Sequence, residues 1–139
     1  QACELSGAVF VYNAGFEKAR IRELAERFPE LRKPLLGINA RIVDLLPIAR
    51  NHYYHPSQQG SWSIKKILPA IAPELSYDDL EGVQHGGGAM EAYTEAIHPD
   101  TPAERRAQLH EQLLRYCELD TYAMIKIWQT FANVHHFKL

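Results

Sequence analysis

Ala8-Val9-Phe10-Val11-Tyr12-Asn13-Ala14-Gly15-Phe16-Glu17 is a β-branched and aromatic run that reaches a turn-former and passes at once into a helical pattern. It predicts a buried strand over 8–12, with Asn13-Ala14-Gly15 supplying the turn and the cap. From 16 to 28 the apolar Ile21, Leu24, Ala25 and Phe28 recur at helical spacing, and Pro29 closes the element. A strand feeding a helix in this way, in a chain whose remaining patterns are mostly helical, sets the expected class as helix-rich α/β.

Working outward, a second helix is expected over 34–40. The run Arg41-Ile42-Val43-Asp44-Leu45 fits either its extension or a second strand, with strand preferred. Residues 51–60 read as a polar, aromatic loop or edge. Ser63 is placed to cap a helix carrying Ile64, Ile67, Leu68 and Ile71, which Pro69 bends or ends. The stretch 73–88 reads as irregular, with Ser76 offering a helix start and Gly86-Gly87-Gly88 a flexible joint, before a short helix over 89–97. Thr101 as cap and Pro102 at the first helical position then open a long helical tract to about 133, with room for one break near Asp120. No internal repeat or low-complexity segment interrupts this order.

The chain has 139 residues, the size of one domain, and residues 1–139 are taken as such. Its 15 Lys and Arg against 17 Asp and Glu leave no broad field to draw in nucleic acid or membrane, so any basic patch is local. No apolar run reaches the roughly 18 residues of a membrane span and no secretory leader pattern stands at the start, so the expectation is a soluble, cytoplasmic protein with no membrane partner. Cys3 and Cys117 are the only cysteines and lack the spacing of a zinc site or a disulfide framework; both are read as free thiols, Cys117 as a buried one. The opening Gln, followed almost directly by a strand-like run, is read as the edge of a piece of a longer protein.

Two constellations are candidates for chemistry. Asn13, Phe16 and Glu17 lie where a strand feeds a helix, the place where α/β folds set their sites. A carboxylate in the first helical turn is also favoured by the helix dipole, and Asn13 serves equally as a cap. The second constellation is Tyr116-Cys117-Glu118-Leu119-Asp120. Leu109, Leu113, Tyr116, Asp120, Ala123, Met124, Ile127 and Phe131 recur as one helix face, which brings Tyr116 and Asp120 together within an apolar stripe. A carboxylate there needs a basic side chain, a backbone donor or a metal ion.

Asn13-x-x-Phe16-Glu17 after a strand, with Tyr116-x-x-x-Asp120 on a helix about a hundred residues later, resembles the second and third motifs of the DEDD exonucleases. These enzymes form the DnaQ-like branch of the ribonuclease H-like superfamily. The segments from Ile42 to Arg50 and from Ser61 to Leu68 are similar to the strand and helix that follow the second motif. The run from Tyr12 to Met124 more closely resembles an uncharacterised bacterial domain family that usually forms the C-terminal part of longer proteins. The resemblance implies the C-terminal part of a ribonuclease H-like fold lacking its first strands. It also implies hydrolysis of single-stranded DNA or RNA from the 3′ end by two Mg²⁺ or Mn²⁺ ions about 3.5–4 Å apart. On it Asp120 is a direct metal ligand, Tyr116 orients the attacking water, and Glu17 helps hold the second metal. Asn13 and Phe16 line the floor near the terminal nucleotide.

Two departures stand out. Glu17 takes the place of the usual Asp, and no Asp-x-Glu first motif precedes it. The chain alone therefore lacks two of the four metal-site carboxylates, and weak or no activity is expected without an upstream part of the same protein. A sheet lacking its first strands would leave an edge near 8–12, so a homodimer or domain-swapped form is also expected.

Arg50-Asn51-His52-Tyr53-Tyr54-His55, with Lys65 and Lys66, mixes cations and aromatics as single-strand grooves do, and equally fits a solvated loop. His52 and His55 lack further ligands at zinc spacing. Gly86-Gly87-Gly88 has neither the preceding strand nor the Lys-Ser or Lys-Thr of a phosphate loop, and His135-His136 reads as a solvated tail. Two other readings stay open. One is a non-catalytic relative that binds nucleic acid or protein, which Glu17 favours. The other is a structural module in which Arg20 or Arg41 satisfies Asp120.

Overall fold

The computed structural model describes residues 6–133, so Cys3 and the His135-His136 pair lie outside the described residues. The protein is helix-rich α/β: six α-helices and one two-stranded parallel sheet among the described residues. Its contacts group into two compact units, Gln1–Trp62 and Ser63–Leu139.

In the first unit, β1 (Val9–Val11) leads into α1 (Ala14–Arg27), a 3-10 turn (Pro29–Leu31), α2 (Arg32–Ala40), β2 (Ile42–Asp44) and α3 (Leu45–His52). The strands run parallel in the register Val9↔Ile42, Phe10↔Val43 and Val11↔Asp44, which requires the helical crossover that α1 and α2 provide. Val11, Ala14, Ala25, Leu45 and Ala49 are buried. The expected capping of α1 by Asn13 is replaced by a longer-range device. Asn13 adopts a left-handed conformation (φ 71°) and makes no side-chain cap. The first amides of α1 instead donate to Asp44 from the end of β2, Asn13 N to Oδ1 at 2.9 Å and Ala14 N to Oδ2 at 3.0 Å. Oδ1 also accepts from Leu46 N at 3.0 Å, so one carboxylate caps both α1 and α3.

The loop after α3 is ordered by its own polar side chains. His55 Nδ1 accepts from Ser57 N, Gln58 Oε1 accepts from His55 N at 2.6 Å, and Gln58 is fully buried. Tyr12 donates its hydroxyl to the Trp62 carbonyl at 2.5 Å, and the Trp62 indole donates to the Tyr53 carbonyl at 2.9 Å.

The second unit comprises α4 (Ile64–Ile71), a 3-10 turn (Tyr77–Asp79), α5 (Gly86–Ile97) and α6 (Ala103–Ala132). Ser63 occupies the N-cap position of α4, and the helix runs through Pro69 to Ile71. The triple glycine is the first turn of α5 rather than a flexible joint, because His85 Nδ1 accepts from Gly88 N at 2.9 Å and caps it. Pro102, not Thr101, takes the N-cap position of α6, while Thr101 donates its hydroxyl to the Glu95 carbonyl at 2.6 Å. α6 continues through Asp120 without a break over 30 residues. Leu109, Ala123 and Ile127 form its buried seam as the spacing implied, joined by Leu119, which packs with Leu68, Ala72 and Tyr77. Cys117 is exposed rather than buried. Tyr116 packs against two core clusters, that of Leu68, Tyr77 and Leu119 and that of Val83, Ala92 and Leu109.

Candidate functional site

The helical period places Tyr116 and Asp120 one turn apart on α6, both half-buried. The second unit brings two further groups to them. Tyr77, in the 3-10 turn that Ser76 opens by accepting the Asp78 amide, donates its hydroxyl to Asp120 Oδ1 at 2.5 Å. Lys65, in the first turn of α4, sets its Nζ 5.2 Å from the Tyr77 ring centroid and 6.0 Å from that of Tyr116, and donates to the Gln84 carbonyl. The two rings stand 6.0 Å apart at 56°. Tyr116 lies near enough to Asp120 for the carboxylate to act on its phenol. Within the second unit the carboxylate is thus met by the Tyr77 phenol. Arg20 pairs with Glu23, and Arg41 donates to the Gly7 carbonyl at 2.7 Å.

The electrostatics follow from this packing. Burial, then the charge of Asp120, pushes the Tyr116 phenol up to about 12. Burial and the bond to Asp120 push Tyr77 higher still. Both phenols are therefore hydrogen-bond donors at neutral pH, not bases. Burial lowers the Lys65 ammonium, while Asp120 and Asp78 oppose the shift.

Asn13, Phe16 and Glu17 share the start of α1 in the first unit. Phe16 is 64% exposed, with the Arg20 guanidinium 5.5 Å from its ring centroid. Glu17 Oε2 is buried without a hydrogen-bond partner, and burial raises the carboxyl, with Asp44 adding to the shift. His52 ends α3 and is exposed, as is Tyr54, whose ring lies 6.1 Å from that of Trp62. His55 is occupied as a cap. Lys66 is exposed on α4, next to Lys65.

For a hard cation the donor type fits but the number does not. Glu17 offers one unpartnered buried oxygen, while both oxygens of neighbouring Asp44 are spent on backbone amides. Among the described residues no three His, Cys, Asp or Glu side chains group closely enough to hold a metal ion. Among the described residues, then, the side chains do not complete a cation site. Among these residues no helix is long and apolar enough to cross a membrane.

Tyr77 is the site residue that sequence reasoning missed. Its one local signal is Ser76-Tyr77-Asp78-Asp79, read there as a helix start; nothing in that pattern points to Asp120, 43 residues away.

Fold and site define a helix-rich α/β protein whose second unit gathers a lysine, two phenols and a carboxylate. A family model described as a domain of unknown function, DUF2779, matches residues 1–63, a span that includes Asn13, Phe16, Glu17, His52 and Tyr54. Comparison with curated proteins and with solved structures gives no match.

Proposed function

We propose that this chain supplies the third motif of a DEDD-type, DnaQ-like exonuclease domain of ribonuclease H-like fold, which hydrolyses phosphodiester bonds at the 3′ end of single-stranded DNA or RNA. One observation supports the reading: Asp120, one turn from Tyr116, accepts a hydrogen bond from the Tyr77 phenol. An arginine fork would occupy both carboxylate oxygens and offset their charge, as buried pairs do. A phenol donor orients the carboxylate while leaving it a hard oxygen ligand of the kind Mg²⁺ and Mn²⁺ select. Two such ions, if bound, would activate a water and stabilise the leaving oxygen.

The chain's own groups then take defined parts. Tyr116, protonated up to about 12, orients water as a hydrogen-bonding partner. Lys65 presents its ammonium beside Asp120, where a phosphate of the substrate would meet it. Lys66 extends that positive edge along α4. The reading requires an Asp-x-Glu pair from elsewhere in the protein.

Asp120→Asn tests it in a protein that carries this chain together with that pair. With a 5′-labelled single-stranded oligonucleotide and Mn²⁺, the variant leaves the substrate intact, while circular dichroism shows the parent's helical signal. Degradation at the parent's rate would sink the reading. A parent that binds single strands with steep salt dependence, unaffected by Mn²⁺ and without cleavage, would replace it with a binding role.

A further inference from the structure

We infer that the second unit carries a docking trough for a cationic amphipathic helix of a partner protein, along a strip of α6 that the candidate site does not use. Every residue lining the trough belongs to that unit, and its volume is about 930 Å³. Leu114, Tyr122 and Ile125 of α6 form one wall and Leu75 and Leu80 the other, with buried Leu119 between them. Leu75 and Leu80 also pack against the cluster of Leu68, Tyr77 and Leu119, so one wall is the outer side of a core that folding has already closed. Leu114 is different: it stands 57% exposed at the end of the strip.

The shape selects a helix as occupant. Leu114, Glu118, Tyr122 and Ile125 follow one another at intervals of a single turn, so they line about 16 Å of the α6 axis. An apolar strip of that length seats a second helix, whose side chains at every third and fourth position fall on the same line. The charge selects its sign. Glu74, Asp79 and Glu118 edge the trough. Glu74 meets Lys126 only at 4.0 Å, and among the described residues Asp79 and Glu118 form no ion pair. Arg115, the cation of the lining, is answered by Glu111 at 2.8 Å. An apolar strip with an acidic rim is complemented by aliphatic side chains flanked by Lys or Arg, and it rejects like charge. On that ground α5 of a second copy is a poor occupant: its exposed Met90, Tyr93 and Ile97 are accompanied by Glu91 and Glu95 and by no Lys or Arg.

The test uses the full chain with Cys3→Ser, which leaves Cys117, an exposed residue of the trough, as its one thiol. The probe is a fluorescein-labelled peptide of about 15 residues, long enough to form a helix, with leucine at every third and fourth position and lysine along the edges of that face. One control scrambles its order and a second replaces lysine by glutamate. Fluorescence anisotropy shows saturable binding of the patterned lysine peptide and at least about 5-fold weaker binding of both controls. Leu114→Lys weakens the patterned peptide by at least about 5-fold. Glu118→Lys weakens it by about 2–5-fold and makes binding less sensitive to salt. Both positions are exposed, and circular dichroism shows the parent's helical signal in each variant. Bound peptide slows alkylation of Cys117 by iodoacetamide in proportion to occupancy. The inference is overturned if no peptide binds saturably, if a control binds as well as the patterned peptide, or if both variants bind like the parent. It is overturned too if Cys117 reacts at its free rate when the peptide is saturating. Self-association of the parent that Leu114→Lys abolishes, without peptide binding, would make the occupant a second copy and likewise sink it. None of these results bears on the nuclease reading, since the probe contains no nucleic acid and Asp120 is left in place.

Discussion

Replacing Asp44 by alanine should destabilise the first unit by about 2–4 kcal/mol, and the figure can be built bond by bond. Asp44 Oδ1 accepts from the amides of Asn13 and Leu46, and Oδ2 from that of Ala14. Losing the cap of α3 costs about 1 kcal/mol. Of the two amides at the start of α1, that of Asn13 is exposed and water partly replaces its bond, while that of Ala14 is part-buried; the cost is about 0.5–1.5 kcal/mol apiece. Asparagine offers a controlled half-step. Its amide oxygen can still serve Asn13 and Leu46, and only the bond to Ala14 goes, for about 1 kcal/mol. The assay is urea unfolding followed by the fluorescence of Trp62, whose indole is bonded within the first unit to the Tyr53 carbonyl. Trp128→Phe removes the second tryptophan in both parent and variants. An Asp44→Ala variant within about 0.5 kcal/mol of its parent, the range of an ordinary surface change, would refute the double-cap argument. An Asp44→Asn variant as unstable as Asp44→Ala would refute it too.

Two other perturbations have clear signs. Gly82 and Gly86 should respond oppositely to alanine. Gly82 has φ 78°, and a Cβ there would run into the Gln112 side chain, so Gly82→Ala costs about 1–3 kcal/mol in thermal unfolding. Gly86 is in the first turn of α5, where an added Cβ meets only the Tyr116 hydroxyl at 4.0 Å, so Gly86→Ala stabilises by up to about 1 kcal/mol. The Tyr12 phenol is pushed from 10.0 to about 12, first by burial and then by the charge of Asp44. In that window the folded chain keeps a proton that the unfolded chain has released, so stability falls as pH rises from 10 towards 12. Tyr12→Phe should flatten that decline in urea midpoints measured at pH 8, 10 and 11. At neutral pH it costs about 1 kcal/mol for the donor lost from the Trp62 carbonyl.

Much of the local structure was legible before any coordinates. A β-branched and aromatic run marked β1, β2 was preferred as a strand over an extension of the preceding helix, and helical spacing marked α1, α4 and the long α6. The errors fall where a side chain settles an ambiguous backbone. A histidine cap turned three glycines into a helix start, and Asp44 pre-empted Asn13 at the head of α1. Residues 45–52 were missed as a helix because eight residues with an internal proline carry too little periodicity to stand out.

The candidate site divides along the same line. That Tyr116 and Asp120 share a face follows from 3.6 residues per turn, and that Asp120 needs a partner follows from the apolar stripe around it. Which partner it finds does not follow from local pattern. Arginine, backbone amide and metal ion were all compatible with the sequence, and the group that arrived was a phenol 43 residues upstream, with a lysine set beside it. Periodicity describes only what a helix does within a few residues of itself. A donor carried in by the packing of a separate turn is chosen by the core as a whole.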